Sequence, residues 1–428
     1  YKFLSGLEYN KSGSLAAVIR AEPDVENNGY KKNLYLIDGD TVKPFITDGK
    51  VGGFIWEDDE HILFAANRSD AEKKRLESGD MFTAYYRISV KGGEALPAFT
   101  LPFTALSIRK ISDELFVATG AVDVNYPDFY TYDADKRKET AAKYKAEADY
   151  EVIDENPWWF NGTGMINKKR YGLFVCNVKT GEVKMITTAN FRVGDYCEKD
   201  GVIYYAGEEY TEKMADVHFI YSYDTKTGRT RQLTKKPMSV SYMDWVDNML
   251  VISGSYKETY GVSQSDCLYK LSFDGGEPEM FLYTEQGPGN SVGSDCRLGG
   301  NGRFATDGDK VYFVSTVVNA AHLICSDLSG KAETIIGVEG TVDGFDIKNG
   351  KIILVGMYDM KLQEVYTFDG KLHQVSHFNE DILKDTYVAK PNKMTIKSQG
   401  YDIDGWVLLP KDYDRTKKYP AILDIHGG

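Results

Sequence analysis

Apolar and polar residues alternate along this chain in short runs of about four to eight residues, the period of a strand buried on one face. Tyr, Phe, Val, Ile and Thr fill the runs, and Gly, Asp and Asn separate them. The pattern predicts an all-β protein. Helical composition appears over residues 134–151, where Lys, Glu and Ala cluster with Tyr144 and Tyr150.

One unit recurs. An apolar strand runs into a tight glycine turn and a second strand follows, in Asn33-Leu-Tyr-Leu-Ile-Asp-Gly39, Tyr86-Arg-Ile-Ser-Val-Lys-Gly-Gly93, Leu173-Phe-Val-Cys-Asn-Val-Lys-Thr-Gly181, Ile220-Tyr-Ser-Tyr-Asp-Thr-Lys-Thr-Gly228, Leu268-Tyr-Lys-Leu-Ser-Phe-Asp-Gly-Gly276, Leu323-Ile-Cys-Ser-Asp-Leu-Ser-Gly330 and Val365-Tyr-Thr-Phe-Asp-Gly370. Glycine suits these turns because joining twisted antiparallel strands demands positive φ. A second, weaker strand–turn–strand pattern precedes most copies, as in residues 7–20, 54–65, 108–119, 196–206, 243–254, 303–315 and 345–356. Four strands per unit, at a period of about 40 to 50 residues, is the arithmetic of a propeller blade. The expected fold is a seven-bladed β-propeller over residues 1–386; a β-sandwich rich in hairpins is the competing architecture. The one long interval between turn glycines places an insertion at about 121–170, between the second and third strands of the third blade. It carries Asn156-Pro157-Trp158-Trp159-Phe160-Asn161-Gly162, an aromatic run suited to capping an edge, meeting a partner or lining a cavity.

The pattern changes after the seventh hairpin, and a second domain is expected over 387–428. Residues 394–397 and 405–409 read as two strands, and 419–425 as a third, continuously apolar one of the kind buried in sheets covered by helices. That strand leads into His426-Gly427-Gly428.

Composition narrows the chemistry. The chain has 51 Lys and Arg against 64 Asp and Glu, a net charge of −13, which argues against a phosphate-binding surface and so against nucleic acid. No run of about 18 apolar residues is present to span a bilayer. The five cysteines are scattered without a C-x-x-C pair, and are read as reduced thiols of a cytoplasmic protein. No secretory leader is visible, though one already removed would leave no trace, and the absence of an initiating Met suggests trimming, by a protease or by design.

Paired glycines after a buried strand let backbone N–H groups turn toward a substrate oxygen, as in half of an α/β-hydrolase oxyanion hole. Here the pair has context: Asp404-Gly-Trp-Val-Leu-Leu-Pro410, Tyr413, Lys418-Tyr-Pro420 and the strand into His426-Gly427-Gly428 resemble the entry to the hydrolase domain in the prolyl oligopeptidase family. Asn161-Gly162-Thr-Gly164, Lys168-Lys-Arg170 and Gln374-Val-Ser376 resemble the acylaminoacyl-peptidase and dipeptidyl-peptidase-like branch. The resemblance covers essentially the whole chain and implies a propeller ahead of an α/β-hydrolase domain. It further implies a serine peptidase whose Ser, Asp and His lie downstream of the glycines, with Gly427 and Gly428 as oxyanion donors and His426 holding their turn. The chain lacks that triad, so it is expected to be inert alone.

Other candidates are weaker. Gly289-Asn-Ser291-Val-Gly293 satisfies the G-x-S-x-G pattern but lacks the preceding buried strand and following helix of a nucleophile elbow. Glu208 and Glu209 could bind a peptide's free α-amino group, as a Glu pair does in dipeptidyl peptidases of the resembled family; a solvated acidic loop is the plainer alternative. His61, His218, His322, His373 and His377 show no metal-ligand spacing, and no cofactor is expected. The expected partners are short peptides, the absent hydrolase domain and further copies of the chain; a propeller scaffold without catalysis is the alternative function.

Overall fold

The structure, a computed structural model, describes residues 1–292 and 296–425. The expected oxyanion donors Gly427 and Gly428, with His426 and the Gly293 of the G-x-S-x-G motif, lie outside the described residues. The protein is mostly β-strand, with few helices.

Consecutive strands pair antiparallel in groups of four, within the segments 3–46, 53–101, 105–185, 191–232, 239–282, 304–336 and 341–374. The last two groups join into one eight-stranded sheet through a single parallel pair, Ala321 with Thr341. Each predicted glycine turn lies between the third and fourth strands of a group, and Gly39, Gly93, Gly181, Gly228, Gly276, Gly330 and Gly370 all have positive φ.

The second strand of a group is buried on both faces. Ala17 and Ile19 enter a core with the second group, whereas Ala16 and Val18 enter one with the seventh. Phe116 and Ala118 face the second group and Val117 the fourth. In the fifth group Leu250 and Ile252 face the fourth, and Val251 faces the sixth. Alternation with period two thus feeds two cores from one strand, and each such side chain contributes about 1.5–3 kcal/mol by burial. Each group is packed between its neighbours, and the seventh packs on the first.

That last junction contains no shared strand. Asn379 accepts from Lys2 N (2.9 Å) and donates to Lys2 O (2.9 Å), Leu4 N donates to Gln363 Oε1 (3.0 Å), and Tyr9 N to Asp346 Oδ2 (2.7 Å). Side chains satisfy the edge that a ladder would otherwise occupy.

Because strands alternate in direction, connections fall on two faces. Turns between first and second and between third and fourth strands share one face and are short. The second-to-third connections and the links between groups share the other. These include residues 66–82 with helix Asp70–Glu77, residues 124–168 with helix Ala134–Ala146, and residues 210–218. The chain also leaves the seventh group on this second face.

Beyond Asn379 no described residue is buried. Strands Asn392–Ser398 and Tyr401–Val407 form a two-stranded hairpin. The expected third strand over 419–425 does not form: Ile422, Leu423 and Ile425 are exposed, Ile422 at 98%. An apolar strand needs a ladder partner and a covering layer, and neither lies against it among the described residues.

Candidate functional site

The 124–168 insertion is anchored at three points. Asp133 caps helix Ala134–Ala146 by accepting from Lys136 N at 2.9 Å, satisfying one of the free donors of its first turn. Buried Arg137 then ties the helix down, donating to Asp80 Oδ1 (2.9 Å) and to the carbonyls of Phe129, Met81 and Pro102. At the far end Arg170 makes a two-pronged pair with Glu155 (2.6 and 3.1 Å), the side chains 0% and 1% exposed. Burial alone would raise the Glu155 carboxyl, but Arg170 and the Lys168 N–H hold it below the usual range. Asn156 exchanges backbone hydrogen bonds with Glu212 O (2.8 Å) and Met214 N (3.0 Å), fastening the insertion to the 210–218 connection of the fourth group.

Between these anchors lies a cavity of about 410 Å³. Its floor is aromatic: Phe103 and Phe174 stack at 4.1 Å, with Tyr130 edge-on to Phe174. Gly120 is required beneath them, since a Cβ there would stand 2.4 Å from the Phe103 ring. Met165 and Ile166 close one side, and Lys169, Arg170 and Arg192 bring positive charge to its wall.

Arg192 is held on strand Phe191–Lys199, directly opposite Glu208 on strand Val202–Glu209. Its guanidinium lies 5.7 Å from the Phe160 ring and 5.6 Å from that of Tyr171, and it donates to Met214 Sδ. It makes no ion pair within 4.0 Å among the described residues. Glu208 is buried; its Oε2 accepts from Ala215 N at 2.7 Å, while Oε1 has no hydrogen-bond partner and stands 3.8 Å from His218 Nε2. Burial pushes the Glu208 carboxyl up to about 7, and burial with the Arg192 charge pushes His218 down to about 4. Glu208 and His218 stand behind Arg192 rather than in the cavity lining, and near neutral pH they are a partly protonated acid and a neutral imidazole.

The candidate pair Glu208 and Glu209 is not brought together. Adjacent strand residues point to opposite faces, and Glu209 is exposed, accepting from Thr188 Oγ1 at 2.9 Å. Ser291 sits on an exposed loop and donates its N–H to Thr316 Oγ1. Among the described residues no cluster of three or more His, Cys, Asp or Glu is arranged for a metal ion, and no helix is long and apolar enough to cross a membrane. Sequence reasoning passed over Arg192, whose available signal was an Arg flanked by the apolar Phe191 and Val193 at the start of a strand.

A second constellation lies on the first strands of several groups. Arg109 is exposed, yet its charge acts on Glu8 of the first group, Asp195 and Tyr196 of the fourth, and Asp244 of the fifth. Such a side chain projects into a space these strands share. Burial, then Asp346, pushes Glu8 up to about 7; burial pushes Asp195 to about 6 despite Arg109. Asp195 Oδ2 accepts from Met243 N at 2.6 Å.

No protein-family model matches the chain, and no curated protein does. Solved structures do. The acylaminoacyl peptidase of Pyrococcus horikoshii matches with a TM-score of 0.72 at 18% identity, over 97% of this chain and 59% of its own. Puromycin hydrolase matches with a TM-score of 0.57 at 13% identity, over 95% of this chain and 58% of its own. The β-propeller domain of the Trilobed protease from Pyrococcus furiosus, described as having an open velcro topology, matches with a TM-score of 0.57 at 14% identity, over 89% of this chain and 99% of its own. The protein thus has the fold of peptidase propeller regions, and spans about three-fifths of the length of the peptidases it matches.

Proposed function

We propose that this chain is the propeller-bearing portion of a serine peptidase of the prolyl oligopeptidase family, acting on short peptides. The observation that carries this is the likeness to an acylaminoacyl peptidase across 97% of the chain. In this reading the seven four-strand groups are seven blades around the space holding Arg109, and residues 387–428 open an α/β-hydrolase domain. A Ser nucleophile beyond Gly428, with its Asp and His, attacks the peptide carbonyl, and the N–H of Gly428 beside Gly427 stabilises the oxyanion. The propeller filters by geometry, admitting extended peptides and excluding folded proteins, and the portion in hand is inactive.

The cavity supports the reading, because it is built from connections on the face by which the chain leaves the sheets, where a following domain would meet it. Its charge favours one branch. A free ammonium requires a presented carboxylate, but Glu208 is buried near neutrality beside Arg192, and Glu209 faces away. We therefore favour blocked, acylaminoacyl-type substrates over free dipeptidyl ends.

The test is to express the parent open reading frame and assay acyl-amino-acid, X-Pro and internal peptide substrates. Cleavage of the first class, abolished by replacing the downstream Ser of a strand–turn–helix elbow, is expected. A parent without that Ser, or one that is correctly folded and cleaves none of the three, would leave a binding scaffold as the function.

A further inference from the structure

The cavity under the 124–168 insertion has a ligand chemistry of its own. In strand Leu115–Asp123 five consecutive residues are buried, and then Ala121 is exposed although the insertion covers it. A small exposed residue beneath a covering segment marks space. The volume falls within the roughly 300–1,000 Å³ of ligand sites, and above the buried Phe103 and Phe174 the lining offers the half-buried rings of Tyr126, Tyr130 and Tyr171, surfaces to which another ring packs edge-on or offset.

The polar groups at its edge are mostly engaged. Arg170 is bound to Glu155, Lys169 Nζ donates to Met165 O (3.2 Å), and Asp123 Oδ2 accepts from Tyr144 (3.0 Å). Arg192 differs: of its five donors, one meets a thioether sulfur. A guanidinium set between two rings and short of acceptors suits an incoming oxygen, a carbonyl or a carboxylate, whereas an ammonium placed there meets a like charge.

We infer that this cavity is a subsite of the propeller for one bulky, aromatic side chain of a bound peptide, with the adjoining carbonyl or carboxylate oxygen accepting from Arg192. The inference takes the peptide from the peptidase reading, but the binding needs no catalytic group and resides in this chain alone.

The experiment titrates the 428-residue chain by calorimetry with N-acetyl-phenylalanine amide, N-acetyl-phenylalanine, N-acetyl-alanine amide and phenylalanine amide, against Ala121→Phe and Arg192→Gln variants whose circular dichroism and melting match the parent. Both acetylated phenylalanine probes should bind at least about tenfold tighter than the alanine probe and the free amine. Ala121→Phe, filling the space from an exposed position, should abolish binding, and Arg192→Gln should weaken it about tenfold. Tighter binding of the acid than of the amide assigns the oxygen to a chain terminus; the reverse assigns it to an internal carbonyl. Equal affinity for alanine and phenylalanine probes, or full binding by Ala121→Phe, overturns the inference. Should Arg192→Gln fail to fold, the probe series and Ala121→Phe decide alone. Binding as expected beside an inactive parent enzyme would sink the peptidase reading and leave the subsite; cleavage by the parent indifferent to aromatic residues and to Ala121→Phe would do the opposite.

Discussion

The two faces on which the strand connections fall obey different physics. On the short-turn face each link is local: a short turn joins neighbouring strands, with a glycine at positive φ between every third and fourth strand, and the turns touch one another lightly, as where Ser12 N donates to Asp59 Oδ1 (2.7 Å) and Asn349 donates to Ser12 O (3.1 Å). On the other face the links vary from residues 318–319 alone to the whole 124–168 insertion, and the longest carry the helices Asp70–Glu77 and Ala134–Ala146 and are held by contacts between residues distant in sequence, such as Arg137 with Asp80. The first face lets the sheets form, and the second has slack in which to build a cavity. A change on the first should alter stability alone, whereas a change on the second should also alter recognition.

The sharpest way to break that contrast is Glu155→Ala. It strands the fully buried Arg170 charge, and removing one partner of a buried pair costs about 3–5 kcal/mol. Urea denaturation should show a loss of that size, and probe binding should fall with it; a shift under about 1 kcal/mol would mean that the pair does not anchor the insertion. On the opposite face, Gly228→Ala forces an L-residue to φ +68° and should cost about 1–2 kcal/mol, with probe affinity unchanged in the folded fraction. Lost affinity there would erase the distinction between the faces.

The space between the faces answers to pH. Glu8 and Asp195 hold protons in the folded protein up to about 7 and 6, whereas unfolded they release them near pH 4 to 4.5. The folded state therefore binds more protons through that window, and stability should fall as pH rises from about 4.5 to 7. Glu8→Gln should flatten the decline in melting temperature between pH 5 and 8; an unaltered slope would remove Glu8 as its source. Glu208 adds a smaller effect on binding. It is faced by Arg192, Arg170, His218 and Asp216, and its ionisation through about pH 7 offsets Arg192, so the affinity of N-acetyl-phenylalanine should decline above that pH. The least change belongs to Lys179→Ala, which removes an exposed pair with Glu114 on the turn face and should leave the melting temperature unmoved.

The same contrast explains what could be read from residues alone. Gly181 and Gly228 announce their turns because positive φ is a local demand, and the helix at Ala134–Ala146 is visible in its own composition. The cavity depends on which strand lies opposite which. Arg192 and Glu208 are 16 residues apart and meet only through the ladder, and Glu155 finds Arg170 across a folded insertion. Glu208 and Glu209 mislead in the reverse direction, since adjacency in sequence is separation across a strand. The apolar run at 419–425 reads as a strand, but a strand is a property of two partners, and its partner is not among the residues beside it.

The side-chain seam between the first and last sheets brings Lys2 and Asn379 within one hydrogen bond. The segment from Lys2 to Asn379 thus starts and stops at neighbouring points, and the bonds that join its first and last sheets run through side chains, so that seam can part and close again with every ladder intact.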